Sequence, residues 1–238
     1  MEKKEVLYEG KAKIIFETSE PGYLWVYFKD DTTAFDGLKK ELLDDKGVLN
    51  NHISSIFFEF LGANGIPTHY EKLLDERSML VKRLEIIPVE VIMRNIAAGS
   101  MSKRLGIPEG TNLKHPVMEY CLKDDALHDP MLNIHHIYAL ELADEEEMEN
   151  IQEQAFRINE MLVPYLEEKG IALVDFKLEF GRHPREGIIL GDEISPDSCR
   201  LWDLASGNKM DKDRFRRDLG GVTEAYREVL KRLKKDES

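Results

Sequence analysis

The chain of 238 residues has only two cysteines, Cys121 and Cys199, far apart and without CxxC spacing. That excludes a disulfide framework and a cysteine zinc site. With 9 prolines and 16 glycines it is also too poor in both for a collagen-like or low-complexity chain. Basic residues are the minority, 33 against 46 acidic, for a net charge of −13. Such a balance argues against nonspecific binding to nucleic acid or to an anionic membrane, though it leaves room for a local basic pocket. No stretch approaches the ~18 apolar residues of a membrane span, and the start MEKKEVLYEGKAK is charged where a signal peptide needs an apolar core. A soluble, cytoplasmic protein is expected. The histidines show no HExxH spacing, and the adjacent His135 and His136 would point to opposite faces of a strand, so structural or surface roles are expected for them.

What is present is an ordinary globular composition, 42% hydrophobic and 33% charged. On a prior of ~150 residues per domain, it makes one large domain or two small ones sharing a cleft. VLYEGKAKIIF reads as a β-hairpin bent at Gly10, LWVYF as a further strand, and DDTTAFDG, ending at Gly37, as a polar loop. Ile53, Ile56, Phe57, Phe60 and Leu61 recur at helical spacing up to a stop at NGIP. SMLVKRLEIIPVEVIMRN contains two strand-like runs broken by Pro88, and it carries the chain from one lobe to the other, with the boundary placed near Leu84. Met148, Ile151, Ala155, Ile158, Leu162 and Tyr165 form the stripe of a helix that Asp144 and Glu147 open as a capping box and that Pro164 kinks. Two strands, ALVDFKLEFG and GIILGDE, flank the turn RHPRE, and an amphipathic helix containing Val222, Tyr226, Val229 and Leu233 closes the chain. Without regular βαβ alternation the class is α+β.

Four stretches carry chemistry. In LVDFKLEFG, residues 173–181, period-2 geometry puts Val174, Phe176, Leu178 and Phe180 on one face and Asp175, Lys177 and Glu179 on the other. The partner strand returns Asp192 and Glu193 to the same end, and converging carboxylates suit a hard cation such as Mg²⁺. A solvated strand face with a cross-strand ion pair would read similarly. At the hairpin bend, Gly10-Lys11-Ala12-Lys13 offers close backbone approach and two ammonium groups to a phosphate, without the Gly-Lys-Ser/Thr ending of a Walker loop. Taken alone it is also an exposed lysine-rich tip. In PVEVIMRNIAAGS, Arg94 can clamp an anion against a helix starting at Gly99-Ser100, although serine there also simply caps a helix. The fourth is GDEISPDSCRLWD, four acids and one arginine among turn residues.

In their order along essentially the whole chain, these stretches resemble the SAICAR synthetases, the phosphoribosylaminoimidazole-succinocarboxamide synthases of purine biosynthesis. IIPVEVIMRNIAAGS and LVDFKLEFG are the most specific, supported by YEGKAK, DDTTAFDG, HDPM, GDEISPDSCRLWD and KMDKDRFRRDLGG. The resemblance implies an ATP-dependent ligase joining L-aspartate to the carboxylate of carboxyaminoimidazole ribotide, with ADP and phosphate released. It implies a small kinase-like ATP lobe, residues 1–84, and a larger ATP-grasp-like lobe, residues 85–238, with the site between them. ATP would be met by Gly10, Lys11, Ala12 and Lys13 at its phosphates and by Lys82 and Leu84 at adenine. Glu179 and Asp192 would hold Mg²⁺. Arg94, Ser100 and Arg200 would bind the ribotide phosphate, Asp197 would contact ribotide or phosphate, and the Asp36 loop would help place aspartate. Lys177, Asp175 and Lys13 are expected as the catalytic set, and a homo-oligomer, a dimer, as the assembly. Two other readings stay open on the residues alone: a small-molecule kinase with the same ATP and Mg²⁺ apparatus, and a nucleotide-binding regulatory module without turnover.

Overall fold

Strand-forming runs in the first third resolve into hairpins. In the computed structural model, which describes residues 1–34 and 38–234, β1 (Lys3–Glu9) and β2 (Lys13–Thr18) pair antiparallel around Gly10, whose N–H donates to the Lys13 carbonyl at 2.9 Å. β3 (Tyr23–Phe28) follows. β4 (Asp31–Ala34) and β5 (Lys39–Leu42) form a separate ladder where the sequence reading expected only a polar loop. The difference has a cause: Thr32 and Ala34 turn inward on alternate positions and are buried, and Ala34 packs with Leu49, Phe215, Val222 and Tyr226. Asp36 lies outside the described residues.

Helix α1 (Lys46–Ala63) ends at Asn64, with Gly65 behind it at φ 81°. β6 (Tyr70–Asp75) and β7 (Ser78–Lys82) complete the first sheet, in the order β1-β2-β3-β7-β6. The second sheet starts at β8 (Glu85–Ile96) and adds β9 (Asn112–Leu122), β10 (Met131–Leu132), β11 (Ile171–His183), β12 (Gly187–Leu190) and β13 (Cys199–Asp203). Its order is β10-β9-β8-β11-β12, with β13 also on β11, and every ladder in both sheets is antiparallel. The fold is thus α+β, built as two lobes. Pro88 does not break the strand as expected; the break falls at Arg83 and Leu84. A ring without an N–H is tolerated at Pro88 because pairing with β9 begins only at Val89 and the register with β11 shifts between Glu90 and Ile86.

The remaining helices are α2 (Gly99–Leu105), α3 (Ile134–Ala139), α4 (Glu145–Glu168), α5 (Asp213–Arg216) and α6 (Val222–Leu233). His135 and His136 sit in α3 and not on a strand, because the Asn133 side chain accepts both of their N–H groups and starts a helix there. α4 opens with the expected capping box, Asp144 accepting the Glu147 N–H at 2.9 Å and Glu147 the Asp144 N–H at 3.1 Å. Met148, Ile151, Ala155, Ile158 and Leu162 of its stripe are buried, Tyr165 stacks on Phe60 of α1, and the helix continues past Pro164 to Glu168. One hydrophobic core runs through both lobes, from Val26 and Phe28 through Phe57 and Leu61 to Ile158, Phe176 and Phe180. Among the described residues no helix is long and apolar enough to cross a membrane.

Candidate active site

The alternation along β11 builds the site. Val174, Phe176, Leu178 and Phe180 are buried on the core side, which leaves Asp175, Lys177 and Glu179 facing the cleft between the lobes. Register then supplies their neighbours: Asp175 lies opposite Arg94 of β8 and Arg200 of β13, and Glu179 lies opposite Glu90. Arg94 Nη1 donates to Asp175 Oδ2 at 2.8 Å, and Arg200 Nη1 reaches both Asp175 oxygens at 2.9 and 3.0 Å. Arg94 also donates from Nε to Glu119 at 2.7 Å and from Nη2 to the Ser100 hydroxyl at 3.3 Å. Burial pushes the Asp175 carboxyl up, against the pull of Arg200 and Arg94. Gly99, at φ 55°, lets the Arg200 guanidinium lie directly on the backbone; a Cβ there would stand 2.4 Å from Nη2.

Further along the cleft, Lys177 Nζ donates to Glu90 Oε1 at 3.0 Å and to Glu179, and lies 3.6 Å from Asp192 Oδ2. Lys123 reaches Glu179 Oε2 at 2.7 Å, and Lys13 contacts Asp192 and, at 3.0 Å, Glu193. Burial alone would favour a neutral Asp192, but Lys13, then Lys177 and Lys123, hold its carboxyl far below the usual range. For Lys177 burial is likewise overcome, by Glu179, Asp192 and Glu90, so its ammonium stays charged.

Two cavities meet here. The first, about 610 Å³, has an apolar wall of Ile15, Leu24, Val26, Val81, Leu84 and Ile86, and a charged end of Lys13, Lys177, Glu179 and Asp192. Gly10, Lys11, Ala12 and Lys82 line it too. The Lys82 N–H donates to the His69 carbonyl and the Arg83 N–H to that of Gly22, so among these connecting residues Leu84 alone has an N–H without a backbone acceptor among the described residues. The second cavity, about 440 Å³, collects Arg94, Ser100, Asp175, Asp197 and Arg200, with Lys212 and Arg216. Lys11, Glu90, Asp125, Asp129 and Lys177 line both.

Asp197 accepts Lys46 Nζ at 2.8 Å and the Tyr226 hydroxyl at 2.6 Å, deep in the wall. Burial opposes its charge, but Lys46 and Lys212 bring it well below the ordinary carboxylate range. Glu90, Lys46, Lys123, Lys212 and Arg216 escaped the sequence reading. For Glu90 a signal existed: in VEVIMR it shares the period-2 face of Arg94.

No ligand set of three or more His, Cys, Asp or Glu groups occurs among the described residues. Mg²⁺ in phosphate-handling sites takes one or two protein carboxylates and fills its shell with water and phosphate oxygens. Glu179 and Asp192, both facing Lys177 and both hard oxygen donors, fit that demand.

The family model described as SAICAR synthetase matches residues 6–233. This chain belongs to the SAICAR synthetase family. The phosphoribosylaminoimidazole-succinocarboxamide synthase of Caldanaerobacter subterraneus subsp. tengcongensis is 58% identical over 98% of this chain and 99% of that protein. The crystal structure of the synthase from Ehrlichia chaffeensis superposes with a TM-score of 0.94 at 47% identity, covering 96% of this chain and 98% of the other. A SAICAR synthetase (Type-2) in complex with ADP gives a TM-score of 0.93 at 47% identity, over 96% and 97%. As a SAICAR synthetase the chain is an ATP-dependent carbon–nitrogen ligase, joining L-aspartate to carboxyaminoimidazole ribotide to give SAICAR, ADP and phosphate.

Proposed function

We propose that the ligation runs through an acyl phosphate of the ribotide, with ATP in the first cavity and ribotide in the second. The observation that carries this reading is the place of Lys177, which lines both cavities. A carboxylate is inert to amines in neutral water, so one of its oxygens must first become a leaving group. Adenine lies on the apolar wall with Leu84 at its edge, and Lys11 and Lys13 hold the ATP phosphates. Arg94, Ser100 and Arg200 clamp the ribotide phosphate, and Asp175 fixes the two guanidinium groups. Mg²⁺ held by Glu179 and Asp192 would supply neutralisation of phosphate charge, which together with positioning is most of what phosphoryl transfer requires.

The γ-phosphorus of ATP passes to a ribotide carboxylate oxygen as its bond to the β–γ bridging oxygen breaks, and that oxygen leaves with ADP. Lys177 faces the transferring group, and its charged state suits it to stabilise oxygens rather than to accept protons. The uncharged aspartate nitrogen then attacks the carbonyl carbon, the bond to the phosphate-bearing oxygen breaks, and the nitrogen gives up a proton that the departing phosphate takes as the amide forms. An acyl-enzyme is disfavoured: Cys199 lines the second cavity, but burial lifts its thiol far above the usual range and keeps it protonated. Ribotide carrying ¹⁸O in its carboxylate is expected to pass one ¹⁸O to the released phosphate. Unlabelled phosphate from aspartate-dependent turnover would rule the acyl phosphate out. A homodimer is proposed as the assembly, and light scattering that finds the mass of a single chain would overturn it.

A further inference from the structure

The charges of the second cavity do not balance at one end. Arg94 and Arg200 share Asp175 and are further held by Glu119 and Asp213. Arg216 donates through Nη1 to Asp213 at 2.7 Å, which leaves Nη2 without an acceptor among the described residues. Lys212 differs from all three: among the described residues its ammonium has no ion pair and no hydrogen bond, though it lines the cavity half-buried. Its nearest source of negative charge, Asp197, already accepts both Lys46 and Tyr226. Nor is Lys212 a loose surface residue, since its N–H donates to the Pro196 carbonyl at 3.0 Å and fixes the backbone at the start of α5.

A desolvated cation without a partner is unfavourable unless something brings an anion to it. Burial weakens its hold on the proton, opposed by the charge of Asp197 and aided by those of Arg216 and Lys46. On the reading above, the ribotide phosphate belongs to Arg94, Ser100 and Arg200, and the nucleotide phosphates to the other cavity. The remaining substrate is an amino acid with two carboxylates. We propose that Lys212, with Arg216 beside it, holds a carboxylate of the incoming aspartate and so selects a dicarboxylic amine as nucleophile. This rests on the acyl-phosphate reading only in needing aspartate in the second cavity.

The test is steady-state kinetics of the full chain as Lys212→Met and Lys212→Arg, with aspartate, ribotide and ATP varied in turn. Loss of a charge-assisted contact should raise the aspartate KM roughly ten- to a hundredfold in Lys212→Met, leave the other two KM values in place, and be largely rescued in Lys212→Arg. Wild-type preference for aspartate over asparagine as nucleophile should shrink by the same factor, and an unchanged preference overturns the selection of a dicarboxylic amine. A rise in the ribotide KM with the aspartate KM unmoved, or no change in either, overturns the proposal. Should Lys212→Met fail to fold, acylation of Lys212 in the wild type, followed by peptide mass, decides: aspartate must slow it, and equal rates with and without aspartate refute the assignment. Absence of aspartate-dependent phosphate release by the wild type would be a different failure, that of the ligase reading itself.

Discussion

Lys13 of β2 reaches across the cleft to Asp192, with Glu193 Oε1 3.0 Å away, so an ammonium of the small sheet is held by carboxylates that follow the last hairpin of the large one. The lobes are thereby joined where the nucleotide phosphates and the metal are proposed to lie. The same carboxylate also faces Lys177, which makes it the meeting point of both proposed catalytic lysines.

Asp192→Asn and Glu179→Gln each remove a charge with little change of shape. Turnover should fall on the order of a hundredfold or more, the range seen when a preorganised electrostatic group is deleted, while circular dichroism stays that of the parent. Full activity of either variant at limiting Mg²⁺ would sink the metal assignment.

Arg94 is nearly fully buried between Asp175 and Glu119, so Arg94→Ala has two effects. Ribotide KM should rise roughly ten- to a hundredfold, with ATP KM much less affected. Stability should drop by about 3–5 kcal/mol, because buried partners lose their counter-charge. An ATP KM that rises while ribotide KM holds would reverse the map of the two cavities.

Gly99→Ala tests the Arg200 contact without touching a charge. The φ of 55° and the crowding against Nη2 should together lower stability by roughly 1–2 kcal/mol and raise ribotide KM, since the guanidinium must move. Unchanged ribotide kinetics would show that Arg200 holds its ligand from elsewhere.

Asp211 accepts the N–H groups of Leu201 and Asp213 at 2.8 and 2.7 Å beneath the Arg200 pair. Burial pushes its carboxyl up from 3.8 to about 7, so the folded chain keeps a proton there that the unfolded chain loses above its ordinary pKa. Folding then binds more protons between those values, and stability from this group falls as pH rises from about 4 to 7 and levels off above. The difference between wild type and Asp211→Asn in urea denaturation should carry that slope, at most about 4 kcal/mol. Parallel stability curves for the two would show an ionised Asp211.

The sequence made the strands and the charged face of β11 legible because alternation is a local signal. Glu90 could have been found in the same way, two positions from Ile92 and four from Arg94. Lys46, Lys212 and Arg216 could not: they reach the site from α1, from the turn before α5 and from α5 itself, and Lys46 meets Asp197 across 151 positions of sequence. The ladder at Asp31–Ala34 was hidden because its inward residues are a threonine and an alanine, too small and polar to mark a strand. Pro88 misled for the opposite reason, as its missing donor matters only where a neighbour strand is in register.

Because Lys177 and Glu90 border both cavities, neither ligand can bind without altering the field the other meets. Thermodynamic linkage makes this reciprocal: the factor by which nucleotide changes ribotide affinity equals the factor by which ribotide changes nucleotide affinity. Titrating ADP against ribotide by calorimetry reads this coupling free energy directly, with no catalytic turnover needed.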